Sequence, residues 1–255
     1  MTGHSGRTAP SATATATATE QSRRELRLPA TRDRFADIAT SARREQQDYL
    51  GFLAELVITE WDGRDRRRAE QRVRAAGFPF RKRLDDFSFE ANPAVDATLV
   101  GRLTGWDWVK AGSPLCLYGG SGTGKSHLLI GLGTRAAEAG YRVRYAEAGR
   151  LVADLPEAPE ASDDDRRGGG MSHYGDVDLL LIDDLSRLHL DRRRAELLLA
   201  VLTEREQRCA VASAADAPFS SLRKTFTDPR LCAAIVDRLT FGGHVIDTGD
   251  RAYRR

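Results

Sequence analysis

Gly119-Gly120-Ser121-Gly122-Thr123-Gly124-Lys125-Ser126 reads G-x-x-x-x-G-K-[ST], the pattern of a loop whose backbone N–H groups wrap around nucleotide phosphates while its lysine reaches the β- and γ-phosphates. The residue choice fits that chemistry. Basic charge in this chain rests mainly on arginine, and the four lysines are Lys82, Lys110, Lys125 and Lys224. One of the four stands where a compact ammonium is needed and a planar guanidinium fork would not fit in the same way. Binding of ATP or GTP is the first expectation, with Gly119, Gly120, Ser121, Gly122, Thr123, Gly124, Lys125, Ser126 and the following His127 as the contact residues.

Such a loop requires a strand before it and a helix after it, because the anion sits on the unpaired N–H groups and positive dipole end of that helix. Pro114-Leu115-Cys116-Leu117-Tyr118 reads as a short buried strand. From Ser126 to Ala139, apolar residues at Leu128, Leu129, Leu132 and Ala136 follow a helical period that stops at Gly140. A P-loop also needs a carboxylate for Mg²⁺ at the end of a neighbouring buried strand. Asp178-Leu179-Leu180-Leu181-Ile182-Asp183-Asp184 supplies one. Four consecutive large aliphatics suit a strand covered on both faces, and the carboxylates lie at its C-terminal end, where α/β sheets bind ligands. Asp183 is expected to hold Mg²⁺ with the Ser126 hydroxyl, and Asp184 to orient or activate the attacking water.

Outward from this centre, Tyr141-Arg142-Val143-Arg144-Tyr145-Ala146, Cys209-Ala210-Val211-Ala212-Ser213 and Gly243 to Thr248 read as further strands. Asp191 can cap a helix carrying Ala195, Leu198, Leu199 and Leu202 on one stripe. Asp228-Pro229 is a cap followed by proline at the first helical position, opening a helix through Leu239. Strands alternating with helices imply an α/β P-loop NTPase domain: three layers around a mainly parallel five-stranded sheet. It is expected to span residues 84–255, with no C-terminal helical lid.

Ahead of it, residues 1–28 contain an alternating Ala-Thr tract and are expected to be disordered. Residues 29–83 read as a small helical module, with Tyr49, Phe52, Leu53, Leu56 and Val57 at helical spacing. Its C-terminal part is strongly basic. Arg64, Arg66, Arg67, Arg68, Arg72, Arg74, Arg81, Lys82 and Arg83 face three acids between Asp62 and Arg83. Such a run can be a solvated helix face, and beside a nucleotide-binding domain a contact to the DNA backbone, largely independent of sequence, is an equal expectation.

The whole chain of 255 residues has a net charge of +2, so affinity for nucleic acid must come from such local clustering. Three widely spaced cysteines in apolar stretches, Cys116, Cys209 and Cys232, argue for buried thiols in a reducing compartment rather than a disulfide framework or zinc site. No apolar run approaches membrane-spanning length, and a cytoplasmic protein without a membrane partner is expected.

Several stretches together resemble the IstB-like ATP-binding proteins, AAA+ helper ATPases of insertion-sequence transposition related to DnaC and DnaA. They are Tyr49 to Leu56, Leu84-Asp85-Asp86-Phe87-Ser88-Phe89, Gly122 to His127, Leu190 to Leu198 and Phe226 to Leu239. The resemblance implies ATP as the nucleotide, ATP-dependent self-association into an oligomer on DNA, and cooperation with a transposase encoded alongside. It also implies that Arg238 reaches the γ-phosphate of a neighbouring subunit. The chain departs from the family pattern in three places. Asp184 stands where a glutamate is common, one methylene shorter. Asp216, aligned backward from Phe219, replaces a sensor asparagine, and an ionised aspartate would repel a phosphate rather than donate to it. Residues 156–172 are acid- and glycine-rich where a helix is usual, and a flexible loop is expected there. Slow hydrolysis follows from the first two. Two other functions stay open: an ATP-gated DNA-binding scaffold with negligible turnover, and a DnaC-like replicative helicase loader.

Overall fold

The structure, a computed structural model, describes residues 27–154, 174, 176–188, 190–205, 209–218 and 228–252. The Ala-Thr tract, the 156–172 segment and Phe219 lie outside the described residues. The chain divides into two compact units, Met1–Arg68 and Ala69–Arg255.

In the first unit, helix α1 (Pro29–Arg44) begins with proline in its first turn, and the N-terminal part of helix α2 (Tyr49–Ala75) runs back along it. Phe35 and Phe52 meet edge to face at 6.0 Å. Glu60 is buried and accepts the Thr31 N–H at 3.1 Å as well as Arg64 Nε and Arg67 Nη2. Burial pushes the Glu60 carboxyl up, but the Thr31 N–H and the two arginines outweigh that and hold it below the usual carboxylate range. The helical period read from the sequence is real, yet the stripe is split. Phe52 turns toward α1, whereas Tyr49 is 95% exposed and Leu53 and Val57 also point outward.

The second unit is built on a five-stranded sheet: β1 (Leu115–Tyr118), β2 (Val143–Glu147), β3 (Leu179–Asp183), β4 (Ala210–Ala215) and β5 (His244–Asp247), in the spatial order β2-β3-β4-β1-β5. Every pairing is parallel, as βαβ crossovers require. The aliphatic run of β3 shows why the sheet must be sandwiched. Leu179 and Leu181 join the layer formed by helix α5 (Lys125–Glu138), including Leu128, Leu129 and Leu132. Leu180 and Ile182 join the opposite layer, formed by helices α7 (Arg192–Arg205) and α8 (Pro229–Thr240), including Leu198, Leu202, Ile235 and Leu239. Among the described residues, further helices are α3 (Ala97–Leu103), α4 (Asp107–Lys110) and α6 (Ala148–Asp154).

The caps expected from sequence are made. Asp191 Oδ1 accepts the Arg194 N–H at 2.8 Å, and Asp228 Oδ1 accepts those of Arg230 and Leu231. Each satisfies N–H groups that a helix start leaves unpaired. Among the described residues no helix is long and apolar enough to cross a membrane.

Candidate functional site

The glycine-rich loop runs from the end of β1 to the start of α5, and positive φ at Gly119 (148°), Gly122 (80°) and Gly124 (100°) gives it a course that L side chains rarely follow. Its shape is fixed from behind by residues distant in sequence. The Gly120 N–H donates to Gly249 O at 2.8 Å, and buried Asn92 donates through Nδ2 to both Thr123 O and Thr248 O. Thr123 Oγ1 lies 2.6 Å from Thr248 Oγ1, which donates to Tyr118 O. The segment after β5 presses so closely that a Cβ at Gly119 would collide with Thr248 Oγ1, and one at Gly120 would come within 3.0 Å of Asp250 Cα.

The loop forms one wall of a cavity of about 530 Å³, within the size range of about 300–1,000 Å³ usual for small-molecule sites. Ser121 to His127, Asp183, Asp184 and Asp216 all line it. The strand order explains the convergence, because β4 lies between β1 and β3. The tips of these three strands carry the loop, Asp216 and the Asp183-Asp184 pair to one edge of the sheet.

Asp183 is 6% exposed. Its Oδ2 accepts the Tyr145 hydroxyl at 3.0 Å and its Oδ1 accepts the Asp184 N–H at 2.9 Å. Burial, followed by the Asp183 carboxylate, pushes the Tyr145 phenol well above its ordinary range, so it remains a donor at any physiological pH. Asp184 takes a left-handed conformation, φ 62°, which aspartate tolerates better than most residues. Lys125 is nearly buried. Its ammonium donates to Gly119 O at 2.9 Å and Gly120 O at 2.7 Å and pairs with Asp216 Oδ1 at 2.9 Å. The donor set suits Mg²⁺, a hard cation that prefers oxygen and combines one or two carboxylates with phosphates and water. The Ser126 hydroxyl and Asp183 carboxylate face one cavity.

His127 lies at the same wall, its Nε2 2.8 Å from Arg83 O and its ring edge-to-face with Phe87. Tyr145, Asn92, Thr248 and Glu147 were not singled out in the sequence. Tyr145 and Glu147 come to the site because β2 pairs with β3, setting Glu147 opposite Asp183. Both also line the cavity. An alternating strand pattern gives no sign of which strand is the neighbour. Asn92 had a weak signal in Asn92-Pro93, a turn-forming pair.

Arg238 lies elsewhere. It sits in the last turn of α8 and lines a smaller cavity of about 210 Å³ with Asp237, Phe241 and the Ala111–Pro114 turn. That turn leads into Leu115, the start of β1, where His244 of β5 pairs. The P-loop leaves the opposite end of β1, so Arg238 and the P-loop of one chain occupy opposite edges of the sheet.

The basic run is not uniform. Arg64 and Arg67 pair with Glu60, Arg74 with Glu70, and Arg83 with Glu138, while Arg72 Nε donates to Ala137 O at 2.7 Å. Arg66, Arg68 and Arg81 are exposed and, like Lys82, pair with no carboxylate among the described residues. Lys82 lines the cavity beside the glycine-rich loop.

A model of the family described as IstB-like ATP binding protein matches residues 21–255. Over 213 residues the chain is 30% identical to the insertion sequence IS21 ATP-binding protein of Pseudomonas aeruginosa, covering 84% of this chain and 79% of that protein. The insertion sequence IS232 ATP-binding protein of Bacillus thuringiensis subsp. berliner is 24% identical over 229 residues, 90% of each chain. In fold, the chain is similar to the crystal structure of DnaI, with a TM-score of 0.53 and 17% identity over 66% of this chain and 90% of that one. AMPPCP-bound DnaA from Aquifex aeolicus gives a TM-score of 0.50 and 23% identity over 67% of this chain and 50% of that one.

Proposed function

The chain belongs to the IstB-like ATP-binding proteins, and from that premise we propose that it is an AAA+ ATPase that assembles on DNA in its ATP-bound form and assists the transposase of an insertion sequence. In this reading Gly119 to Ser126 cradle the phosphates, with His127 at the same wall. Ser126 and Asp183 would hold Mg²⁺, which when bound would supply neutralisation of phosphate charge. Tyr145 and the Asp184 N–H orient Asp183. Asp184 faces the attacking water.

The observation that carries the reading is the position of Arg238. A cation at the sheet edge opposite its own P-loop serves a γ-phosphate only in a neighbouring subunit, and this makes hydrolysis depend on assembly. The relatives' names, which tie them to insertion sequences, support the transposase as partner. Exposed Arg66, Arg68 and Arg81 support a phosphate-backbone contact that is largely independent of sequence.

Mixing two variants tests the shared site. Lys125→Ala is expected to lose nucleotide binding and Arg238→Ala to lose about a thousandfold or more in turnover. Each should be inactive alone with DNA, and an equimolar mixture should regain part of the wild-type rate, because the intact P-loop of one meets the arginine of the other. No recovery at any mixing ratio, or a fully active Arg238→Ala protein, refutes the shared site.

The Asp216–Lys125 pair favours a second reading, an ATP-gated scaffold with negligible turnover. Background phosphate release in the presence of DNA, together with ATP-driven assembly, would select it.

A further inference from the structure

Lys125 is the cation that a P-loop offers to nucleotide phosphates, and in this protein its ammonium already donates two hydrogen bonds and pairs with a carboxylate. An ammonium has three N–H bonds and no acceptor. Its partners here are Gly119 O, Gly120 O and Asp216 Oδ1, all within 2.9 Å. Two of these belong to the loop itself and accept from Lys125 as part of its fold. The third is a carboxylate from the tip of β4, the strand between β1 and β3, and it lines the same cavity as Asp183.

We infer that Asp216 stands in for a phosphoryl oxygen on Lys125 and thereby sets how strongly the site distinguishes a nucleoside triphosphate from a diphosphate. The inference rests on the reading of the cavity as an ATP site and deepens it. Asp216 follows the strand between the P-loop strand and the strand of Asp183, so its carboxylate lies toward the end of the phosphate chain rather than its start. A triphosphate must displace it from Lys125 and then bear the repulsion between its last phosphoryl group and the displaced carboxylate. A diphosphate also meets Lys125 through its β-phosphoryl group but lacks the last group that bears this repulsion.

The geometry allows the exchange. The Asp216 side chain is 37% exposed and can turn to water, while its N–H donates to Ser186 Oγ at 2.7 Å and keeps the strand tip in place. Ser186 is two residues beyond Asp184, so the same hydrogen bond links the tip of β4 to the turn carrying the carboxylate that faces the attacking water.

Equilibrium titration of the full chain with Mg²⁺·ATP and Mg²⁺·ADP, for wild type and Asp216→Asn, tests this. Asparagine keeps the size of the side chain and leaves the main-chain bond to Ser186 in place. Asp216→Asn should bind ATP about tenfold more tightly, a change of about 1.4 kcal/mol, with a clearly smaller gain for ADP. The thermal shift on adding ATP should also be larger than in wild type. Asp216→Ala, melting cooperatively without nucleotide, should show the same order. Unchanged or weaker ATP binding in both variants, or equal gains for the two nucleotides, overturns the inference while leaving the ATP site standing. If neither nucleotide binds wild type or variant, the ATP-site reading falls and the inference with it.

Discussion

Replacing Tyr145 with phenylalanine removes one oxygen and leaves the ring. The ring packs edge to face with Phe78 at 6.2 Å and sits in the layer beside α5, so the loss is confined to the 3.0 Å hydrogen bond to Asp183. Asp183 is 6% exposed. Its Oδ2 would have no protein donor in place of the hydroxyl, and its Oδ1 would keep the Asp184 N–H. A hydrogen bond to a charged group contributes about 1.5–3 kcal/mol, and leaving a buried acceptor unpaired costs a similar amount. With about 2–4 °C of melting temperature per kcal/mol for a domain of this size, the nucleotide-free protein should melt about 3–12 °C lower. Disturbing a group that orients a metal ligand typically weakens the metal site about 10–100-fold. The Mg²⁺ concentration needed for half-maximal ATP binding should therefore rise about tenfold or more. Differential scanning fluorimetry without nucleotide and an Mg²⁺ titration at fixed ATP measure the two effects separately. A melting temperature within about 1 °C of wild type with an unchanged Mg²⁺ requirement would refute the role given to Tyr145. A lower melting temperature alone would reduce it to a packing residue.

The paired and unpaired arginines should behave differently. Arg66→Ala with Arg68→Ala should lower DNA affinity and reduce the slope of log affinity against log salt by about 2, each lost phosphate contact contributing about 0.9. Arg67→Ala should chiefly lower stability, because Arg67 helps to neutralise buried Glu60; an unchanged slope in the double variant returns the run to a solvated face. Asp178 supplies a pH test. Burial raises its carboxyl, but the Arg142 side-chain and backbone hydrogen bonds outweigh that and hold it below the ordinary value. Its contribution is thus present above the unfolded-state pKa of about 3.9 and is lost as pH falls through the lower folded value. Asp178→Asn should melt lower than wild type at neutral pH, and the difference should shrink as pH falls below the ordinary carboxylate range; a difference that does not shrink in acid would remove the Arg142 pair as its source.

What could be read from the chain divides along a physical line. The P-loop, the aliphatic run of β3 and the caps at Asp191 and Asp228 are local patterns, and each specifies its element without reference to distant residues. Together they imply the parallel sheet, and the structure agrees. The supports of the site are non-local. Asn92 and Thr248 are 156 positions apart yet share one hydrogen bond, and Tyr145 meets Asp183 because β2 and β3 are neighbours in the sheet. Spacing along the chain carries neither fact. Asp216 illustrates both cases. Its type gave the expectation of a negative charge among the candidate site residues, and the fold shows which cation that charge meets. The outward turn of Tyr49, Leu53 and Val57 likewise depends on where α1 lies, which helical periodicity alone does not specify.

The backing of the P-loop also bears on when the protein becomes able to bind nucleotide. A nascent chain that has produced β1 through β4 holds every loop residue and the carboxylates at the strand tips, but not Thr248 or Gly249, the residues against which the loop is seated. Nucleotide competence is therefore acquired only once β5 has been made, and ATP can stabilise the domain only after its sheet is complete. Saturating nucleotide should protect finished molecules and leave unfinished ones exposed to chaperones and proteases.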